Sequence, residues 1–461
     1  MTKKLNIFNT LKNEKEEFVP INSNKVGMYV CGPTVYDFPH IGNARPLVIF
    51  DILYRLLKEI YGAHNVTYVR NITDIDDKII ESSRIKKKSI EDLTKEITIN
   101  FHSDCEYLNC LKPNHEPKAT DHINEMINMI SSLVKNKHAY ESQKHVYFSV
   151  SSFKSYGKLS NKNLKELIAG SRVQVSENKK DPLDFVLWKP SNDDEPSWES
   201  PWGKGRPGWH MECSAMSEKF LGKNFDIHGG GVDLIFPHHE NEIAQSCCAN
   251  KSNSFANYWI HNGFVTLNKE KMSKSIGNIV TINEIKENIN GQVARLALLN
   301  SHYKQPLDWN NKLLDESQKT LNKWYSLYDD ELEDEVLESL ITKKEKEDVL
   351  EPLFEDINTP EYISKLHKLF DSASKGLQSA KIQFTYGCKM IGFFSEDKKT
   401  WENFKKKKIL VDEKYISQKI IERNAARNNN DYKLADEIRN ELDKNGVIIE
   451  DKENKTTWKY K

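Results

Sequence analysis

The chain has 461 residues, 38% hydrophobic, 10% aromatic and 29% charged, enough for about three domains and a sizeable core, and outside the disordered, collagen-like and disulfide-scaffold classes. Its longest apolar run, residues 46–57, is broken by Asp51 and Arg55, and Met1-Thr2-Lys3-Lys4-Leu5-Asn6 leads into no apolar signal core, so no bilayer span and a cytoplasmic location are expected. Within the net charge of −1, residues 329–356 carry 13 acidic and 3 basic side chains, a charge of −10 that leaves +9 on the remainder; a solvated helix face is the expected form of that stretch.

Residues 26–30, Val-Gly-Met-Tyr-Val, read as a short buried strand ending in the turn Cys31-Gly32-Pro33. Leu47, Phe50, Ile52, Leu53, Leu56, Leu57 and Ile60 then repeat at helical spacing over about 44–61, with Pro46 tolerable only in a first turn. A second strand follows at 65–70. Strand, helix and strand in quick succession make a βαβ unit and open a parallel sheet. Helical patterns at about 90–108 and 118–136 precede a stretch rich in Trp, Pro, Ser and Gly at 181–208, which reads as an excursion from the sheet and a return. From about 310 to 400 the pattern is mostly helical, and the basic run 405–408 leads into a last compact segment.

Four clusters carry the chemistry. In His40-Ile41-Gly42-Asn43, a helix N-terminus after a parallel strand offers unpaired N–H groups to a phosphate, and Gly42 permits close approach. In Lys271-Met272-Ser273-Lys274-Ser275-Ile276-Gly277-Asn278, two ammonium groups on one loop suit charge developing on a breaking triphosphate. Together these two resemble the paired H-I-G-H and K-M-S-K-S motifs of class I aminoacyl-tRNA synthetases. The seven cysteines are odd in number and scattered, so they are free thiols or metal ligands rather than a disulfide framework. Cys31, Cys213, His238 and Glu242 offer thiolate, imidazole and carboxylate, the donor types zinc takes, and His238 and Glu242 stand four apart, one helix face. Spacing alone does not select that quartet: Cys105 with Cys110, and Cys247 with Cys248, are nearer pairs, and no C-x-x-C occurs. Finally, Asp226-Ile227-His228-Gly229-Gly230-Gly231-Val232-Asp233, preceded by Gly208-Trp209-His210-Met211-Glu212-Cys213, suits a pocket wall where backbone approaches a nucleotide and Asp233 accepts from a hydroxyl or ammonium.

With the blocks at 27–37, 68–78, 208–216, 225–246, 262–278, 435–439 and 456–459, the chain resembles a cysteinyl-tRNA synthetase across nearly its whole length. The resemblance implies an α/β fold: a Rossmann-type parallel-sheet catalytic domain in two halves (1–115 and 205–250) split by a connective insertion (116–204), a stem-contact region with the lysine loop (251–310), a helical bundle (311–400) and an anticodon-binding domain (401–461). It implies one Zn2+ held by Cys31, Cys213, His238 and Glu242; Thr73, Trp209, His228 and Asp233 around the amino acid and adenylate; and His40, Gly42 and Asn43 on ATP phosphates, with Lys271 and Lys274 closing on pyrophosphate. Arg427, Tyr432, Asp436 and Asp451 would read the anticodon, in a tail that carries 15 basic and 12 acidic residues beyond position 401. The expected partners are L-cysteine, ATP with Mg2+, and tRNA(Cys), the protein acting as a monomer without an editing domain. Asn43 departs from the family's second histidine, and an amide cannot become a cation. Two other readings stand beside this one: a ligase joining cysteine to an amino sugar, which would not need the tail, and a non-catalytic RNA-binding paralogue, for which Asn43 is the support.

Overall fold

The computed structural model describes residues 3–161, 178–272, 277–407, 413–452 and 455–460. Four strands, β1 (Val26–Val30), β2 (Val66–Arg70), β3 (Phe225–Gly231) and β4 (Ala256–Asn262), form an all-parallel sheet in the order β4-β3-β1-β2. All five residues of β1 are buried, as a central strand covered on both faces requires. Met28 and Val30 face α1 (Ile41–Tyr61) through Val48, Ile49, Ile52 and Leu53, while Tyr29 packs with α2 (Trp209–Leu221) and α3 (Glu240–Asn250) through Met211, Ala215 and Ala244.

Helix α1 starts at Ile41, earlier than apolar periodicity suggests, because His40 caps it: the Gly42 N–H donates to His40 Nδ1 (3.1 Å) and the His40 N–H to Asn43 Oδ1 (3.0 Å). Such reciprocal bonds satisfy donors that an uncapped helix leaves orphaned. Pro46 therefore lies in the second turn, not the first, and its ring removes the bond to the Gly42 carbonyl.

The parallel sheet is interrupted after β2. Helices Asp77–Lys86, Ile90–Tyr107 and Ile123–Lys135 lead to an antiparallel sheet of Ala139–Ser142, His145–Phe148, Phe185–Pro190 and Gly205–Pro207, so the Trp- and Pro-rich stretch supplies two strands to a second sheet before the chain returns through α2. Beyond β4, helix Gly291–Leu299 docks on α1 and on the bundle of Asn311–Leu327, Asp334–Leu340, Lys343–Phe354, Thr359–Ser374 and Gln378–Met390. Fully buried Arg295 joins these parts, pairing with Asp51 of α1 and donating to the carbonyls of Leu108 (2.8 Å) and Ile391 (2.7 Å).

Most carboxylates of the acidic stretch are exposed, as expected of a solvated face, and several of them also pair with lysines of other elements. Asp329 pairs with Lys381 (2.8 Å), Asp334 with Lys389 (2.7 Å), and Glu355 with Lys15 (2.7 Å), while buried Asp356 accepts from Tyr303 Oη (2.6 Å) and the Phe8 N–H (2.7 Å). Part of that charge is matched within the bundle and by the N-terminal hairpin Asn6–Asn9/Glu14–Glu17. The last segment, helices Glu413–Asn428 and Tyr432–Lys444 on the hairpin Val447–Lys452/Lys455–Tyr460, has its own core of Ile416, Ile420, Ile438, Leu442, Val447 and Ile449. Among the described residues no helix is long and apolar enough to cross a membrane.

Candidate active site and metal centre

β1 has β2 on one side and β3 on the other, and the connections run in opposite directions from it, so a crevice opens beyond its carboxyl end, where open parallel sheets bind ligands. A cleft of about 770 Å³ lies there, lined among others by Cys31, His40, Gly42, Asn43, Trp209, Asp233, Phe264 and Lys271. At the N-terminus of α1, Gly42 leaves room for the cap: a Cβ there would lie 2.8 Å from the His40 ring. Because Asn43 Oδ1 is taken by the His40 N–H, the group Asn43 can offer a ligand is its Nδ2 donor. Lys271 Nζ stands 5.6 Å over the ring of Phe264, which is 47% exposed. Arg45, fully buried, grips that wall from behind, donating to the carbonyls of Gly263 (3.0 Å), Phe264 (2.9 Å) and His302 (3.1 Å). Lys274 lies outside the described residues.

The four expected metal ligands converge although they come from both sides of the insertion. Cys31 Sγ lies 3.5 Å from Cys213 Sγ, from His238 Nε2 and from Glu242 Oε1. A fifth donor, His239, reaches the same point with Nε2 3.4 Å from Cys31 Sγ, and Cys31, His238, His239 and Glu242 can all meet one ion. Tetrahedral bonds of about 2.3 Å to sulfur and about 2.0–2.1 Å to nitrogen or oxygen separate donors by about 3.3–3.8 Å, a range that the four distances from Cys31 Sγ meet, whereas His238 Nε2 and Glu242 Oε1, 2.9 Å apart, stand at hydrogen-bond distance. Outer contacts orient both imidazoles: His238 Nδ1 faces His210 Nδ1 (2.9 Å), and His239 Nδ1 faces His261 Nε2 (2.8 Å). Fixing the distal nitrogen in this way is how proteins hold metal-ligating histidines. Trp209 stacks on His238 with centroids 4.2 Å apart.

Charge in this cluster is arranged around His238. Burial opposes ionisation, yet the His228 and His238 rings hold the Glu242 carboxyl down to about 2, His228 Nε2 being 2.8 Å and His238 Nε2 2.9 Å from its oxygens. Burial also opposes a charged His238, but Glu242 and Cys213 raise it to about 10. The Cys213 thiol, against its burial, is drawn down to about 6 by hydrogen bonding from Cys31 and His238, whereas burial and Cys213 push Cys31 up. Burial, with neighbouring imidazoles, keeps His239 neutral, the form that ligates.

Not every expected residue lies in the cleft wall. Trp209 and Asp233 do, whereas Thr73 (2% exposed) and His228 (0%) sit beneath it, Thr73 bonding Glu212 and His228 bonding Glu242. Of the four expected anticodon contacts, Tyr432 (62% exposed) and Asp436 project into solvent. Arg427 and Asp451 are paired with each other at 3.0 Å, and Asp451 also receives both guanidinium nitrogens of buried Arg423, at 3.0 and 2.7 Å. His239, Asn71, Glu212 and Arg45 escaped the sequence reading. For His239 the signal was its place beside His238; for the others a single sequence carries none.

Residues 17–319 match the family model for the class I (C) tRNA synthetase catalytic domain, and residues 420–458 match the cysteinyl-tRNA ligase anticodon binding domain. A cysteine–tRNA ligase of Pelagibacter ubique is 59% identical over the full length of both chains. Those of Wolbachia pipientis (50% identical, covering 98% of this chain and 97% of the relative) and Ehrlichia canis (48%, covering 99% of each) are also similar. Among solved structures, Mycobacterium tuberculosis methionyl-tRNA synthetase bound to methionyl-adenylate superposes with a TM-score of 0.56 at 15% identity, over 80% of this chain and 89% of that one. A putative arginyl-tRNA synthetase of Campylobacter jejuni gives 0.53 at 12%, over 81% and 94%; at such identities the likeness is one of fold. A split parallel sheet, a capped helix at the mouth of its cleft, and matches spanning both catalytic and anticodon-binding parts place the chain in the cysteinyl-tRNA synthetase family, within class I of the aminoacyl-tRNA synthetases.

Proposed function

We propose that the protein activates L-cysteine with ATP and transfers it to the 3′ end of tRNA(Cys) in the cytoplasm, acting as a monomer. The observation that carries this reading is the meeting of two thiols, two imidazoles and a carboxylate, the other four donors lying 3.4–3.5 Å from Cys31 Sγ, at the edge of a nucleotide-sized cleft. In that reading Cys31, Cys213, His238 and Glu242 hold Zn2+. A bound zinc ion supplies a cation that holds a thiolate far better than a neutral alcohol, separating cysteine from serine where a plain pocket gains only about 10²-fold.

Asp233, in the cleft wall, takes the α-ammonium group and Trp209 closes over the amino acid. ATP enters with its Mg2+, its phosphates against the N-terminus of α1, where the dipole and the Asn43 amide meet them. The cysteine carboxylate then attacks the α-phosphorus, and pyrophosphate leaves toward Lys271 and Lys274. No protein nucleophile is required: alignment and fixed charge lower the barrier. The 2′-hydroxyl of the terminal adenosine finally attacks the carbonyl carbon of the adenylate, forming the ester as the bond to phosphate breaks and AMP leaves. Catalytic halves 1–115 and 205–250, insertion 116–204, stem-contact region 251–310, bundle 311–400 and anticodon-binding part 401–461 are the working division, with Arg427, Tyr432, Asp436 and Asp451 on the tRNA side.

Cysteine-dependent ATP–pyrophosphate exchange, tRNA charging and metal analysis test this together. Exchange without charging identifies an amino-sugar ligase, and neither activity identifies an RNA-binding paralogue. Cys213→Ala is expected to lose zinc and cysteine activation at once; retention of both refutes the site.

A further inference from the structure

The two sulfurs of the metal centre come from opposite sides of the insertion, Cys31 at the end of β1 and Cys213 in α2. A short chain of side chains spans that gap. Asn71, just after β2, accepts from the Gly32 N–H with Oδ1 (2.9 Å), and the same oxygen lies 3.7 Å from Cys213 Sγ. Its Nδ2 donates to Thr73 Oγ1 (3.1 Å), and that hydroxyl donates to Glu212 Oε2 (2.9 Å). Asn71, Thr73 and Glu212 are 1%, 2% and 1% exposed. One amide therefore touches the neighbour of the first thiol and the second thiol itself, and its other end is tied through Thr73 to the residue beside that second thiol.

We propose that Asn71 and Glu212 are positioning residues that set the distance between the Cys31 and Cys213 sulfurs, through Thr73, so that the metal centre is assembled across the split sheet. The inference rests on the metal-dependent reading above. Asn71 Oδ1, accepting from the Gly32 N–H, holds the turn Cys31-Gly32, and its Nδ2, through Thr73, ties that turn to Glu212, the residue before Cys213. Glu212 fixes the amide by holding the hydroxyl that Asn71 Nδ2 addresses, and so keeps Oδ1 rather than Nδ2 facing the Gly32 N–H. Without that anchor the amide is free to turn, presenting N–H donors to a backbone N–H. The bond network specifies an oxygen at Glu212 Oε2 and not a charge, so Glu212→Gln, with its carbonyl oxygen in the same place, preserves the anchor, while Glu212→Leu, of similar bulk, does not.

The experiment measures zinc dissociation constants by competition with a chromophoric chelator. It adds the thiolate-to-metal charge-transfer band of the cobalt-substituted protein and the KM for cysteine in pyrophosphate exchange. The proteins are the full-length wild type, Glu212→Gln, Glu212→Leu and Asn71→Leu, with Thr73→Val breaking the same link at an isosteric site. The expected result is about 10–100-fold weaker zinc binding, as for other outer partners of metal ligands, in Glu212→Leu, Asn71→Leu and Thr73→Val. Their charge-transfer band should shift and their cysteine KM should rise, and Glu212→Gln should remain near wild type on all three readouts. Wild-type zinc affinity and an unshifted band in Glu212→Leu and Thr73→Val overturn the proposal, as does a Glu212→Gln protein as impaired as Glu212→Leu. A wild-type protein that binds no zinc overturns instead the functional reading on which it rests.

Discussion

Replacing Gly32 by alanine is a steric test of the proposed metal centre that touches none of its candidate ligands. A Cβ at position 32 would fall 1.6 Å from the Asn71 carbonyl oxygen and 2.8 Å from its carbon, and reaching even a crowded 3.0 Å needs about 1.4 Å of movement. Neither partner can retreat alone. The Asn71 segment is pinned by the Ile72 N–H to the Pro117 carbonyl (2.8 Å) and the Thr73 N–H to the Pro33 carbonyl (3.0 Å), and Cys31 by its own N–H to Gly229 (3.2 Å). Metal–ligand distances tolerate only about 0.2 Å, so a shift near 1.4 Å beside Cys31 removes that thiol from the set. The overpacking should cost about 1–3 kcal/mol of stability, which a chain with cores elsewhere can absorb. The expected variant is folded by circular dichroism, with zinc affinity reduced by about 100-fold or more, beyond the usual effect of an outer-contact mutation, and cysteine-dependent exchange lost with it. A folded Gly32→Ala protein holding stoichiometric zinc at wild-type affinity would refute both the close packing and its role in setting the cluster.

Asn43→Asp keeps an acceptor for the His40 N–H but places a carboxylate where ATP phosphates are proposed to lie. Like charges about 4 Å apart at an effective dielectric near 20 repel by up to about 4 kcal/mol, so the KM for ATP in the exchange assay should rise at least about tenfold; an unchanged KM removes Asn43 from the phosphate site. Asp51 is buried, which disfavours its charge, yet Arg295 and Arg55 hold its pKa below the ordinary 3.8. Its contribution is thus present above that value and lost as pH falls through the lower folded-state value. Asp51→Asn should cost about 3–5 kcal/mol near neutrality, and urea melts should show that deficit narrowing in strong acid; a pH-independent deficit contradicts the assignment. Tyr432, exposed at the start of its helix, is expected to stack on an unpaired base, so Tyr432→Ala should weaken tRNA binding by about 1–3 kcal/mol while leaving pyrophosphate exchange intact. Equal tRNA affinity in filter binding removes it from the interface.

The strand at 26–30 and the helix after it were legible because a buried parallel strand is a short apolar run and a covered helix repeats at 3.6 residues. The start of α1 was misplaced because apolar spacing cannot register a cap made by His40 and Asn43. His238 and Glu242 do meet, at 2.9 Å, but not along one regular helix: His238 sits in the wide turn Ile235–His239 ahead of α3, where Phe236 is extended (φ −137°, ψ 131°). That turn also brings His239, three residues before Glu242, to the cluster. Cys31 and Cys213, 182 positions apart, were joined only by family likeness, since nothing local in a sequence encodes which distant thiols a sheet will bring together. The cations that the exposed acidic stretch pairs with were illegible for the same reason: Lys15, Lys381 and Lys389 are on other elements.

That separation has a mechanical consequence. Of the candidate ligands, Cys31 precedes the insertion and the others follow it, so the donor set exists only when β3 has docked beside β1, with Tyr29 aligned to His228 and Val30 to Gly229. In that register Gly229 occupies a place where a Cβ would lie 2.2 Å from the Phe50 ring of α1, and the His228 side chain is directed to Glu242. A one-residue slip of β3 in either direction would reverse its faces and turn His228 toward α1, and the slip that brings His228 to the place of Gly229 would also force its side chain against Phe50. Steric exclusion on one face and the histidine–carboxylate bond on the other therefore select the same register, and that register is the one in which the ligands from either side of the insertion coincide.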